Sequence, residues 1–322
     1  MCTALVHQNL FGRTLDLEYS YCERVCVVPR RLPLPFRTQP TLSTHYAILG
    51  MAHVVQDYPL FYDAVNEHGL AAAALNFPVS AVYRPANDRM DNIAPFELIA
   101  WVLGQCTSVA EARRLLARAN LTKLDFRADL PATPLHWLIA GRDGTIAAEP
   151  LSDGLHVCDN PVGVLTNEPP FAFQIARLTD CLSLSARPPE NRLCPTLPLT
   201  PYSRGMGALG LPGDWSSPSR FVRAAFASRN SLSPSGTPER ISQFFHLMSC
   251  VEVPRGCVVL EDGTPVTSVY TSCCDLERII YHYTTYENRQ ISAVDLHRED
   301  LDGDRLISYP LLTQPQIRVQ NG

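Results

Sequence analysis

The chain has 322 residues, 46% of them hydrophobic and 18% charged, with 27 basic against 32 acidic side chains and a net charge of −5. That balance describes a soluble globular protein able to bury a substantial core, and gives no electrostatic reason to expect nucleic-acid binding. Lys123 is the only lysine, and it stands outside any Schiff-base, phosphate-loop or Ser-x-x-Lys context, which sets those chemistries aside.

No stretch approaches the roughly 18 apolar residues of a membrane span, and residues 1–8 carry no basic region followed by an apolar core. A cytoplasmic protein with reduced thiols is therefore expected. The 11 cysteines are odd in number and irregularly spaced, against a disulfide framework. Cys22 with Cys26, and Cys273 with Cys274, have no second pair of Cys or His at zinc-ligand spacing, so no metal and no other cofactor is expected.

In chain order, apolar runs rich in β-branched residues at 3–6, 10–17, 24–28 and 46–51 predict strands of one antiparallel sheet. Residues 61–65 and 70–75 predict a hairpin turning at Asn66-Glu67-His68-Gly69, with Asn76 where the second strand ends. From Pro95 the period changes to about 3.6, which predicts one helix over Phe96 to Leu103 and another from Val109 to Ala119, the latter opened by a Ser108/Glu111 capping box. Strands return at 136–140, 145–148 and 155–157. Residues 171–182, 218–227 and 238–250 read as helices, and strands near 266–271, 279–285 and 290–296 close the chain. This is an α+β order in a single domain over residues 1–322. Residues 188–213, rich in Pro, Leu, Ser and Gly without a period, form a loop too long to be idle, either mobile or covering something.

Three motifs read as ordinary structure. Gly205, Gly207 and Gly210 fit G-x-G-x-x-G, but a Pro-rich loop precedes them and Leu211-Pro212-Gly213 follows, so a flexible glycine loop is expected rather than a dinucleotide cradle. Asp300, Asp302 and Asp304 alternate as in a calcium loop, yet Gly303 comes too early and Leu311 occupies the closing position. His136 and His246 lie among apolar neighbours and read as hydrogen-bonded core residues.

Cys2 differs because of its position. Removal of Met1 would leave one residue bearing both a thiol and an α-amine, whose ordinary pKa values of about 8.5 and 7.7–8.0 nearly balance proton exchange at neutral pH. Such a residue supplies nucleophile and base together.

The segments Cys2-Thr3-Ala4, Phe11 to Asp16, Gly69 to Phe77, Asn160 to Asn167, Leu211 to Asp214 and Ser219 to Ala224 resemble, in order and spacing, the choloylglycine hydrolase family of conjugated bile-salt hydrolases and penicillin V acylases. Asn92 to Glu97, Leu135 to Leu138 and Tyr286 to Gln290 extend the resemblance over nearly the whole chain. It implies a four-layer αββα sandwich of the N-terminal-nucleophile hydrolase type. It also implies Cys2 as nucleophile after loss of Met1, Arg13 and Asp16 ordering that residue, Asn76 and Asn167 around the scissile amide, and Arg220 completing the cluster. Thr14, Ala74 and Glu168 depart from the commonest family pattern close to the site, which bears on rate and substrate preference.

The implied reaction is hydrolysis of glycine- or taurine-conjugated bile salts through a Cys2 thioester, with no cofactor. A sterol skeleton calls for an apolar pocket, for which Leu15 and the loops near Leu60 and Leu130 are candidates. Arg204, in Tyr202-Ser203-Arg204-Gly205, is a candidate contact for the taurine sulfonate. The resemblance further implies a homotetramer in which part of the loop up to Gly213 reaches a neighbouring subunit. The alternatives are a penicillin V acylase and, from another class, an inactive steroid-binding protein.

Overall fold

The computed structural model describes residues 1–321. Along the chain, strands β1 (Cys2–His7), β2 (Leu10–Leu17), β3 (Arg24–Val28), β4 (Ile48–Val55), β5 (Tyr58–Asn66), β6 (Ala71–Asn76) and β7 (Asp91–Ile93) come first. Helices α1 (Leu98–Leu103) and α2 (Val109–Leu116) follow, then β8 (Ala119–Leu121), β9 (Leu135–Gly141), β10 (Gly144–Leu151), β11 (Gly154–Asp159) and β12 (Val164–Leu165). Helices α3 (Phe171–Arg177), α4 (Ser217–Asn230) and α5 (Thr237–Ser249) precede β13 (Thr267–Asp275), β14 (Ile280–Thr285), β15 (Ser292–Asp295) and β16 (Ile307–Pro310).

The strands build two large sheets, in the orders β12-β1-β2-β13-β14-β15 and β11-β10-β9-β6-β5-β4-β3-β16, and β7 pairs with β8 in a small parallel ribbon. Helices α4 and α5 cover the outer face of the first sheet through β1, β2, β12 and β13, while α1 and α2 cover the second through β5, β6, β9 and β10. The result is the expected αββα sandwich. Because both faces of the second sheet are covered, its central strands β4, β6 and β9 are apolar at most positions, with alternate residues facing opposite cores. In β6, Ala71, Ala73 and Leu75 join the core shared with the first sheet, while Ala72 and Ala74 join the core under α1 and α2.

The first four predicted strands do not form one sheet: β1 and β2 lie in the first, β3 and β4 in the second. Local alternation defines a strand but not its partner, and partner choice here follows the inter-sheet packing. The 61–75 hairpin is present with a longer first strand. Gly69 takes a positive φ of 81° at its turn, and the Asn66 side chain accepts from the His68 and Leu70 amides at 3.1 Å each. Helix α2 stops at Leu116, and Ala119 belongs to β8. Ser108 caps it by accepting from the Glu111 amide, but Glu111 reaches the amide and hydroxyl of Thr107 instead of closing a box on Ser108. The helix expected over 171–182 is α3 followed by a 3-10 turn, Leu178–Cys181. The sequence reading passed over β7, β8, β12 and β16, each four residues or shorter. All eleven cysteines are free thiols. His136 is fully buried as expected, whereas His246 faces outward from α5, since its apolar neighbours occupy the opposite side of the helix.

Candidate active site

Cys2 opens β1 opposite Leu15 of β2, and is only 2% exposed. Its backbone nitrogen donates to Asn167 Oδ1 at 2.8 Å; this is the atom that becomes the α-amine when Met1 is removed. With Met1 present, the chain's ammonium donates to the Asp16 carbonyl at 2.6 Å and the Asp16 amide donates to the Met1 carbonyl at 3.0 Å.

Arg220 comes from the first turn of α4, where Pro218 sits without needing a hydrogen-bonded amide. Its Nη1 donates to the Cys2 carbonyl at 2.5 Å and to Thr3 Oγ1 at 2.6 Å, and its Nη2 to Asn167 Oδ1 at 2.7 Å. Asn167, just beyond β12, is held in turn: its amide donates to Ser217 Oγ and its Nδ2 to the Asn76 carbonyl, both at 2.8 Å. Asn76 closes β6, and its own Oδ1 is buried without a partner among the described residues.

Arg13 leaves β2 and crosses to the second sheet, donating from Nη1 to the carbonyls of Ala74 at 2.5 Å and Tyr62 at 2.9 Å. Asp16 accepts from Ser268 Oγ at 2.6 Å and from Thr14 Oγ1 at 3.0 Å. Both are fully buried, as is Arg220. Burial pushes the Asp16 carboxyl up, against the opposing pull of Arg220, the amino terminus and its two hydroxyl donors. Burial lowers Arg220, opposed by Asp16 and Cys2. Burial also acts to lower Arg13, but Cys2, Tyr270, Asp63 and Asp16 outweigh it and leave the guanidinium above its ordinary value. The six expected residues thus lie in one buried cluster or in direct contact with it, drawn from β1, β2, β6, the segment after β12, and α4.

Sequence reading missed the supports of this cluster. Asp63 of β5 is wholly buried between the sheets and accepts from Tyr270 at 2.5 Å, Tyr281 at 2.7 Å and Ser272 at 3.0 Å, adding negative charge near Arg13. Its signal was a lone carboxylate in the apolar run Leu60-Phe61-Tyr62-Asp63-Ala64-Val65, since a buried charge needs partners. Glu168 accepts from the amides of Val79 and Ser80 at 2.8 Å each, joining the segment after Asn76 to the one bearing Asn167. Two of the family departures, Thr14 and Glu168, are therefore structural participants.

The expected pocket residues are placed differently. Leu15 is buried in the core beside Cys2, Leu60 lies within β5 rather than in a loop, and Leu130 is half-buried in the segment between β8 and β9. Leu60 lies in a strand because the β4–β5 hairpin turns earlier, at Gln56 and Asp57 with φ of 52° and 61°. A cavity of about 450 Å³ opens where residues 18–24 meet Arg255, Pro265, Tyr286 and Leu311; neither Leu15, Leu130 nor any of the six cluster residues lines it. Arg204 is exposed, with no hydrogen bond or ion pair joining it to the cluster among the described residues. Gly205 and Gly210 have φ of 80° and 93° around a short 3-10 turn, not a strand-to-helix cradle.

The family of linear amide C–N hydrolases, choloylglycine hydrolase family, matches residues 2–309. A bile salt hydrolase/transferase of Lactiplantibacillus plantarum is 47% identical over 324 residues, covering 100% of both chains. The crystal structure of a mutant conjugated bile acid hydrolase from Clostridium perfringens superposes with a TM-score of 0.92 at 34% identity, covering 100% of both chains. The penicillin V acylase of Agrobacterium tumefaciens shares the fold, with a TM-score of 0.76 at 19% identity over 96% of this chain and 90% of that one. The chain is an amide C–N hydrolase and belongs to the choloylglycine hydrolase family.

Proposed function

We propose that the protein hydrolyses the amide joining a bile acid to glycine or taurine, with Cys2 as nucleophile once Met1 has been removed. The observation that carries this reading is the 47% identity over the full chain with a bile salt hydrolase/transferase, and the buried cluster around Cys2 supplies the chemistry. The α-amine, held by Asn167 Oδ1, accepts the thiol proton, and Cys2 Sγ attacks the amide carbon. The side-chain NH2 or backbone N–H of Asn76 supplies the donor for the developing oxyanion in a water-poor site, and Asn167 stands beside the scissile amide. Arg220 holds the Cys2 carbonyl and the Asn167 side chain in register, and with Arg13 supplies positive charge beside the thiolate. The α-ammonium then protonates the departing glycine or taurine nitrogen, leaving a thioester. Water, deprotonated by the same amine, cleaves the thioester and frees the bile acid and Cys2.

Residues 1–322 act in this reading as one catalytic domain, in the cytoplasm, as a homotetramer. Among the described residues no helix is long and apolar enough to cross a membrane. Leu193, Leu197, Leu199, Tyr202 and Leu209 are all at least half exposed on the 188–213 loop, and such an apolar surface is better covered; a neighbouring subunit would cover it and bring Arg204 toward a site. Leu15 and Leu130 are proposed to face the sterol.

Incubation of the purified protein with glycine- and taurine-conjugated bile salts and, separately, with penicillin V tests the reading by mass spectrometry. Release of free bile acid with equimolar amino acid is the expected result. Turnover of penicillin V alone would overturn the substrate assignment in favour of the acylase.

A further inference from the structure

Asn76 and Asn167 come from different segments, and a buried His–carboxylate pair ties those segments together. His136 lies in β9 opposite Leu75 and is wholly buried. Its Nδ1 is 3.0 Å from Glu149 Oε1 and its Nε2 is 2.8 Å from the Thr166 carbonyl oxygen. The Thr166 carbonyl can only accept, so Nε2 carries a proton, and Nδ1 shares a hydrogen bond with the Glu149 carboxyl. The flat face of the ring stacks on Phe77, centroids 4.2 Å apart and planes 5° from parallel. Phe77 directly follows Asn76, and Thr166 directly precedes Asn167. Both carboxylate oxygens of Glu149 accept from the Phe171 amide at 3.0 Å, which fixes the first turn of α3 four residues beyond Asn167.

Neither side chain is hydrogen-bonded to Cys2, Arg13, Asp16 or Arg220. A buried polar pair contributes little net stability compared with apolar side chains of the same volume. What this pair supplies that apolar packing cannot is direction, because two hydrogen bonds and one stack fix where Asn76 and Asn167 stand. We infer that His136 and Glu149 are a positioning pair that sets Asn76 and Asn167 against Cys2, and so governs turnover rather than substrate affinity. The inference rests on the proposed role of Cys2 as nucleophile.

Variants at Glu149 separate this role from general support of the fold. In Glu149→Gln a rotated amide donates to His136 Nδ1 and accepts from the Phe171 amide, while a neutral ring keeps its Nε2–H on Thr166. Geometry is retained. In Glu149→Ala both His136 and the Phe171 amide lose their partner. Expected on a glycine-conjugated bile salt is a kcat within about threefold of the parent for Glu149→Gln, and a fall of roughly tenfold to a hundredfold for Glu149→Ala, with KM changed less than about twofold in both. In the nuclear magnetic resonance spectrum of 15N-histidine-labelled protein, the Nε2–H signal of His136 should persist in Glu149→Gln, because its bond to the Thr166 carbonyl is kept. Phe77→Leu, which removes only the stack, should lower kcat severalfold at constant KM and serves if Glu149→Ala does not fold. Parent-like kcat in both Glu149→Ala and Phe77→Leu, a change confined to KM, or equal impairment of Glu149→Gln and Glu149→Ala would overturn the inference. Cys2→Ala in the same assay keeps the two readings apart: turnover there removes the nucleophile assignment, whereas an inactive Cys2→Ala beside a fully active Glu149→Ala removes only the positioning pair.

Discussion

Removal of Met1 converts the Cys2 nitrogen from a peptide N–H to an amine while its neighbour, Asn167 Oδ1, stands 2.8 Å away. The proposed mechanism therefore depends on one processing event, and intact-mass measurement of active protein should give a chain beginning at Cys2; full activity with Met1 retained would sink it. Cys2→Ala and Cys2→Ser should each lower kcat by at least about a thousandfold with the fold kept, since little volume is lost. At Arg220, four acceptors are reached by one planar guanidinium, the Trp215 carbonyl through Nε and three others through the two terminal nitrogens, which a lysine ammonium on a flexible stem cannot reproduce. Arg220→Lys should cost about 2 kcal/mol in denaturant unfolding, from acceptors left unsatisfied in the interior, and at least about tenfold in kcat. A variant with parent-like unfolding midpoint and turnover would show that the guanidinium does neither.

The elements hold the site by close approach of β2 to its neighbours. A Cβ added at Gly12 would lie 2.0 Å from the Ser272 carbonyl oxygen of β13 and 2.8 Å from the Phe244 ring of α5. Since Gly12 is one residue from Arg13, Gly12→Ala should spread β2 from β13, lower stability by about 2 kcal/mol or more, and reduce turnover as well. Thermal unfolding and a kcat measurement on the same sample check both; an unchanged melting temperature would show that the strands have room there. At this scale the sequence was informative about long periodic runs. It was poor at short strands such as β12, whose two residues carry no periodicity and are placed only by pairing with Ala4 and Leu5. It also could not say that β3 and β4 leave the sheet that β1 and β2 begin, because alternation marks faces and not partners.

At the scale of the whole molecule, the 188–213 loop carries apolar side chains that one chain leaves exposed. Light scattering at micromolar concentration should give a tetramer, and a monomer would refute the assembly. The same assembly is what would bring the exposed Arg204 to a substrate. Arg204→Ala should then lower kcat/KM for taurine conjugates about fivefold more than for glycine conjugates, the loss of one charge-assisted contact. Equal loss on both, or none, would leave Arg204 as a solvated loop residue.

The sequence by itself determined the reaction class through its resemblance to the choloylglycine hydrolase family, which implied roles for Cys2, Arg13, Asp16, Asn76, Asn167 and Arg220 without coordinates. It determined the layered α+β order through period and turn residues, which are local properties. Only the tertiary structure decided what supports those residues. Asp63 under Arg13, Ser268 on Asp16, Glu168 across to Ser80, and His136 with Glu149 between Phe77 and Thr166 are separated in the chain by 13 to 252 residues from the groups they hold. A buried polar side chain announces that it needs a partner, but which partner it finds depends on how two sheets stack, and that is decided by packing over the whole chain.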